Sequence, residues 1–323
     1  MRRCSFAELD HEGSAWNLAA QASEQADPFC CRTEWHFSFH EAFHPERPLH
    51  LRTRGDSLVA FAERVDAEFG ALLEPVESHW LFGCPLLGPD AVELLGEFLG
   101  ERQGPDRPSV LVSGLLPGRL LPARLLAAFA RQYRILELDR VVLCTASLDG
   151  GFDGYLSRRT GRLRRNMRQA ARRAAAAGVT FERCAPSTVA AADAAYARML
   201  AVELKSWKGI GECGMAESPS REFYGLMLRR LASSGTGRVV FARCGSDDVG
   251  FIFGGMAGAT YRGQQFSYAE EQSHISIGGL LQLEQVRWLC EEGAQRYDMG
   301  PQLEYKRHWA EKETRIHALV LQP

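Results

Sequence analysis

Phe251-Ile252-Phe253, Thr260-Tyr261-Arg262-Gly263-Gln264-Gln265-Phe266-Ser267-Tyr268, Ser276-Ile277-Gly278-Gly279-Leu280-Leu281 and Arg296-Tyr297-Asp298-Met299-Gly300 follow one another in the last third of the chain. Apolar alternation makes the first two strands, with Gly254-Gly255 and Gly258 expected between them. The third opens a helix expected to run to about Gly293, and the fourth is a short strand. A helix that starts on glycines leaves backbone N–H groups unpaired and aimed outward. With the helix dipole they form an anion site suited to a pyrophosphate. The competing reading of Ser276, Ile277, Gly278, Gly279 and Leu280 is a plain helix start whose glycines allow close packing.

Working outward, Tyr305-Lys306-Arg307-His308-Trp309 closes the stretch. Upstream lie an arginine-rich segment, 162–173, and Glu203-Leu204-Lys205-Ser206-Trp207-Lys208-Gly209. In order and spacing, 151–309 resembles the GNAT acyltransferase superfamily, and within it the BioF2-like or CelD-type branch. That branch is similar in its tandem fold to the Fem-type peptidoglycan aminoacyl transferases. The common GNAT signature places Arg or Gln ahead of a run of spaced glycines; here that segment is Glu271-Gln272-Ser273-His274-Ile275-Ser276.

The resemblance implies an α/β (α+β) fold of two tandem GNAT-like domains, each a mixed central sheet flanked by helices. The expected domains are 1–148, diverged and acceptor-side or structural, and 149–323, carrying the acyltransferase site. A last strand at 315–321 would return to the first domain. With 323 residues, two cores are the default in any case. In the first half, 29–43, 91–99 and 119–133 have helical character, and 49–53, 58–65, 109–113 and 141–147 read as strands. A short apolar segment covers 81–87. The glycine-rich 149–154 is the expected linker. In the second half, helices are expected at 152–157, at 160–177, capped by Thr160, at 187–205 and at 221–233, with a strand at 237–243.

Hydrophobic residues make up 46% and charged residues 24%, as in ordinary globular chains, and the formal charge of -2 gives no global pull toward nucleic acid or an anionic membrane. No apolar run is long enough to span a bilayer. Met1-Arg2-Arg3 leads into a polar segment, so a cytoplasmic location is the expectation. The nine cysteines are scattered, without a C-x-x-C pair, as expected of reduced core thiols. His36, His40 and His44 recur every four residues, too long a line for one ion, beside an apolar stripe of Trp35, Phe39 and Phe43. No metal site is expected there.

The resemblance implies transfer of an acyl group from acyl-CoA (acetyl-CoA) to an amine of a small molecule, sugar or peptide, with polysaccharide or cell-envelope metabolism as a setting. In Fem-type enzymes a lysine after an aromatic residue takes part in transfer, and Tyr305-Lys306 matches it. Lys306 is therefore expected to stabilise charge on the carbonyl oxygen, and Tyr305 to assist the leaving thiol. Asp298 follows a strand and begins an irregular segment, a usual place for reactive groups; the alternative is an ion pair between Asp298 and Lys306 that ties the loop down. Glu203 or Glu270 is the expected general base. Trp207, Lys208 and Tyr268 are expected at the substrate, against a reading of Trp207 as a core anchor and Glu203–Lys208 as a surface pair. On the arginine helix, Leu163, Met167, Ala170 and Ala174 form an apolar stripe with Arg165, Arg168 and Arg172 opposite. That basic face either recognises a polyanion or is a solvated face paired with acids elsewhere, which the near-neutral charge favours. Two other functions fit the same features: an aminoacyl-tRNA-dependent transferase, and a non-catalytic binding protein that keeps the fold.

Overall fold

The computed structural model describes residues 2–23, 27–102, 107–138 and 141–323. It divides into two compact units, Met1–Val142 with Thr314–Pro323, and Leu143–Glu313. Segment 149–154 lies inside the second unit, as a turn and the first residues of a helix. Gly150 takes φ 76° there.

In chain order the first unit runs β1 (Arg2–Cys4), α1 (Phe6–His11), α2 (Gly13–Ala22), α3 (Thr33–Phe43), β2 (Leu49–Arg54), β3 (Ser57–Asp66), β4 (Gly70–Glu74), β5 (Leu86–Leu87), α4 (Ala91–Glu101), β6 (Ser109–Leu115), α5 (Leu120–Phe129) and β7 (Arg134–Glu137). Its sheet orders β1-β2-β3-β4-β6 and then the chain's last strand, Lys312–Gln322. β5 lies beside β3, and β7 beside that last strand. The pairings are antiparallel except β4 with β6. Trp16, Phe37, Phe61, Phe98 and Leu125 fill its core. α1, α2, β4 and β7 fall where no element was expected; they are short or small-residue-rich, so their periodicity is weak.

His36 is buried on α3, its Nδ1 accepting the Glu77 N–H at 3.1 Å, and burial lowers its pKa to about 3. His40 is lowered to about 4, again by burial. These rings serve packing in the first unit.

The second unit contains β8 (Val141–Ser147, from Leu143 on), α6 (Gly151–Ser157), α7 (Gly161–Ala176), β9 (Val179–Cys184), α8 (Val189–Glu203), α9 (Trp207–Ile210), α10 (Ser220–Ser233), β10 (Gly237–Cys244), β11 (Asp247–Ala257), β12 (Thr260–Tyr268), α11 (Ile277–Glu291) and β13 (Arg296–Pro301). Its sheet orders β8-β13-β12-β11-β10-β9. Every pairing is antiparallel except β12 with β13, whose parallel run needs a crossover; α11 supplies it. Gly254 and Gly255 lie inside β11, not in the turn, which is made at Gly258. Gly254 is required there because a side chain would strike the Arg262 carbonyl and the Tyr261 ring. Thr160 caps α7, its hydroxyl accepting the Leu163 N–H at 3.2 Å. Among the described residues no helix is long and apolar enough to cross a membrane.

Candidate active site

β12 and β13 are joined through only three residue pairs, Thr260↔Arg296, Tyr261↔Tyr297 and Arg262↔Asp298, although β12 runs six residues further. Beyond Arg262 the strands diverge into a wedge. A register shift on the opposite edge, between Phe253↔Gln265 and Gly254↔Gly263, leaves Gln264 as the extra residue of a bulge. Bulges bend a strand and re-aim its side chains, which is how this one helps open the wedge. A pocket of ≈ 40 Å³ lies in it, lined among others by Gln264, Phe266, Gln282, Tyr305, Lys306 and Trp309. Gln264 Nε2 is buried with no hydrogen-bond partner, an orphaned donor at the pocket wall.

The apex of the wedge is the Arg262–Asp298 ion pair, at 3.1 Å and almost wholly buried. Asp298 Oδ1 also accepts the Gly300 N–H at 2.8 Å. Gly300 has φ 75° and lies against the guanidinium, where a Cβ would be 3.1 Å from Arg262 Nη2. Asp298 is therefore held on Arg262, and the expected ion pair with Lys306 is not formed. Burying both charges costs about what their attraction returns, so the pair adds little net stability and its geometry fixes where the strands part.

Lys306 sits on the 3-10 turn Glu304–His308 and is 8% exposed. Its Nζ donates to the Pro301 carbonyl at 2.7 Å. Its pKa falls from 10.5 to about 8, first because burial disfavours the charge and then because the Arg262 cation lies nearby. Tyr305, 41% exposed, meets the Phe266 ring edge-on at 5.6 Å. Burial of its hydroxyl side pushes its pKa up, so the phenol stays protonated.

Glu203 is the last residue of α8 and fully buried, whereas Trp207 opens the separate helix α9, capped by Ser206. The two therefore do not share one helix face. Glu203 Oε1 accepts the Met215 N–H at 3.0 Å, and Oε2 is buried without a hydrogen-bond partner. Gly214 packs on this carboxylate so closely that any Cβ would run into Oε1. Lys208 donates to Gln265 Oε1 at 3.1 Å and to the Phe266 carbonyl at 2.8 Å. Burial lowers its pKa, with Glu203 opposing. Glu203 and Lys208 thus make no surface pair, and Trp207, 57% exposed, anchors no core. Lys208 and Lys306 interact electrostatically, which places Glu203, Lys208 and Lys306 in one cluster around β12. Gln265, Arg262 and Tyr224 belong to the same cluster and were missed in the sequence; Gln265 Nε2 donates to Tyr224 Oη at 2.8 Å. No motif marks them, since their place depends on the bulge.

Glu270 is exposed at the start of the 3-10 turn Glu270–Ile275, and its N–H donates to the Lys205 carbonyl at 3.0 Å. At the α11 start the glycines allow close packing, the competing reading of this segment. Ser276 takes φ 66° and makes no side-chain cap, and Gly279 N–H and Leu280 N–H turn back to its carbonyl. Gly278 faces the rings of Tyr268 and Phe266, and Gly279 faces Met167; a Cβ on either would stand 3.0 Å from its nearest neighbour. Ile277 and Leu280 are buried. Side chains there pack; only backbone and Ser276 remain for a ligand.

The arginines of α7 behave otherwise than the favoured expectation. Among the described residues no carboxylate lies within ion-pair distance of Arg162, Arg164, Arg165, Arg168, Arg172 or Arg173, whereas Arg158 and Arg159, just before the helix, both meet Glu311. Arg173 Nη2 lies 3.5 Å from Ser276 Oγ.

Residues 161–307 match the family model of the acetyltransferase (GNAT) domain. No curated protein matches the chain. A conserved protein of unknown function from Bacteroides thetaiotaomicron shares its fold over 99% of both chains, with a TM-score of 0.65 and 10% identity. FemX does so over 94% of this chain and 95% of its own, with a TM-score of 0.65 and 11% identity. A C-terminal domain assigned to a lysylphosphatidylglycerol synthetase of Agrobacterium fabrum covers 99% of this chain and 93% of its own, with a TM-score of 0.61 and 13% identity. At such identities the likeness is one of fold. The match over 161–307 falls on the strands that form the wedge and on the helix between them, so the second unit carries a domain of the GNAT acyltransferase superfamily, in a chain that shares the fold of FemX.

Proposed function

We propose that the chain transfers an acyl group from acyl-CoA to an amine, with the wedge between β12 and β13 as the donor site. The observation that carries this is the wedge itself: two parallel strands that part after three pairs, with an orphaned amide donor, Gln264 Nε2, on the pocket wall and a buried lysine at its mouth. A thioester arm with amide groups meets exposed strand edges as a further strand would, so its own amides match what the parted strands leave open. The α11 start, uncapped by any side chain and flanked by Arg173, suits the donor's phosphates.

In this reading the donor supplies an activated acyl carbonyl, and the protein positions it and handles protons. Lys306 Nζ, when protonated, donates to the carbonyl oxygen as negative charge grows there, a gain enlarged by the dry surroundings. Glu203 takes the proton from the attacking amine, directly or through water, at Oε2; its burial and lack of a partner favour it over exposed Glu270. Tyr305 Oη, kept protonated, supplies a proton to the departing sulfur. Arg262 and Asp298 hold the wedge open and Arg262 tunes Lys306, so Asp298 is a positioning residue. Lys208 holds the Phe266 edge of the pocket, while Trp207 and Tyr268, outside its lining, are proposed to meet the acceptor. The acceptor is an amine borne by a small molecule, sugar or peptide; the Fem-type fold also suits peptide or lipid-linked ones.

The test is calorimetric titration with CoA and acetyl-CoA, on the full chain and on Ser276→Asp. That residue has no packing role of the kind Gly279 has, and a carboxylate there repels phosphate while suiting the helix. Micromolar binding weakened tenfold or more in the variant supports the reading. Absence of binding to both ligands overturns it and leaves an aminoacyl-tRNA donor or a non-catalytic role.

A further inference from the structure

α7 has sixteen residues, six of them arginines (Arg162, Arg164, Arg165, Arg168, Arg172, Arg173), and neither Asp nor Glu. Its opposite stripe is occupied inside the unit: Ala170 and Ala174 are buried, and Met167 packs on Gly279. The helix is therefore held by its own core, and its charged half is not needed for folding. Elsewhere in the unit arginines are routinely neutralised: Arg183 meets Glu284 and Glu291, Arg198 meets Glu182 and Asp248, Arg229 meets Asp193, and Arg238 meets Glu292. Six guanidinium groups without a carboxylate among the described residues, in a chain of formal charge -2, are a local field of one sign.

A second feature adjoins it. Leu204, Trp207 and Ile210 are 59%, 57% and 68% exposed. Large apolar side chains held out together in water mark an interaction surface. The 3-10 turn Glu270–Ile275 links the two features. Its first N–H bonds to the Lys205 carbonyl, between Leu204 and Trp207 in the chain; it packs against α7, and Arg173 reaches Ser276 at its end.

We propose that this rim of the second unit is a docking surface for an anionic phospholipid bilayer. The arginine face of α7 meets lipid phosphates, and Leu204, Trp207 and Ile210 enter the headgroup region. The combination selects the occupant. Guanidinium groups pair with phosphate from any polyanion, but exposed Leu and Ile gain nothing from the backbone of a nucleic acid and are stabilised in a lipid interface, where Trp also prefers to sit. Juxtamembrane basic residues each add about 1 kcal/mol of attraction to an anionic leaflet, roughly fivefold in binding. Docking there holds the Tyr305–Lys306 turn near the bilayer, because Tyr305 and Lys208 both contact Phe266 beside the α11 start.

The experiment is sedimentation of the full chain with vesicles of phosphatidylcholine alone, and with one third phosphatidylglycerol, at low and high salt. The triple variant Arg165→Glu, Arg168→Glu, Arg172→Glu and the variant Trp207→Ser are run alongside, with circular dichroism to confirm folding. Expected are binding to the anionic vesicles only, loss of about 100-fold in the triple variant, loss of about tenfold for Trp207→Ser, and weakening by salt. Equal binding to both vesicle types, or an unaffected triple variant, overturns the proposal. So does binding to a duplex RNA without binding to anionic vesicles. The readout is independent of the donor, so its failure and that of the acyl-CoA reading are separable.

Discussion

Replacing Lys306 by Met tests whether burial makes the charge on its amine costly to the folded chain. A fall from 10.5 to about 8 corresponds to about 3 kcal/mol spent on keeping the amine charged in the folded chain at neutral pH. The folded pKa is depressed, so between pH 8 and 10.5 the unfolded chain binds more protons than the folded one. Wild-type stability should then rise through that window, and the whole penalty is present below pH 8. Methionine fills a similar volume and carries no charge, but gives up the bond to the Pro301 carbonyl, worth about 1 kcal/mol. Lys306→Met should therefore be more stable than wild type at pH 7 by about 2 kcal/mol, and the advantage should vanish by about pH 10.5. The chain has four lysines, Lys205, Lys208, Lys306 and Lys312. Their carbon-13 methylated signals can each be titrated by NMR and assigned by single substitution. Lys306 should titrate near 8, well below the ordinary lysine value of 10.5. A Lys306 signal that titrates at the ordinary value of 10.5, together with no gain in the Met variant, would refute the reasoning.

Asp298→Asn leaves the Arg262 guanidinium buried without its counter-charge, and should cost about 3–5 kcal/mol in denaturant unfolding. Because Asp298 raises and Arg262 lowers the Lys306 pKa, the same NMR titration should move below 8 in Asp298→Asn and above it in Arg262→Met. Gly214→Ala should destabilise by about 1–3 kcal/mol by driving a methyl into Glu203 Oε1, and most of that cost should disappear on a Glu203→Ala background; additive losses in the double-mutant cycle would count against the contact. The CoA titration and the vesicle experiment complete the set.

Much of the second unit was legible in the chain. β8, β10, β11, β12, β13, the crossover helix and the capped α7 follow from periodicity, and the order strand–helix–strand permits the parallel pair, whereas β9 was not read. The boundaries that failed did so for local reasons. Gly254 and Gly255 read as a turn because glycine is the usual turn residue, yet Gly254 is needed mid-strand to let the Arg262 backbone approach. α8 stops at Glu203, two residues before the expected end at Lys205, because Ser206 caps a new helix with its own hydroxyl.

The sequence by itself determined the mixed α/β architecture and marked the helix start at Ser276 and the pair Tyr305-Lys306 as candidates, because each is a local pattern of residue types. Only the tertiary structure decided that Asp298 pairs with Arg262 instead of Lys306, that Glu203 is buried while Trp207 is exposed, and that the α7 arginines have no carboxylate near them among the described residues. These are questions of which groups from distant positions end within a few ångströms of one another. A parallel pair that stops at Arg262 and Asp298 sets the first of these, and it leaves no mark in composition or spacing.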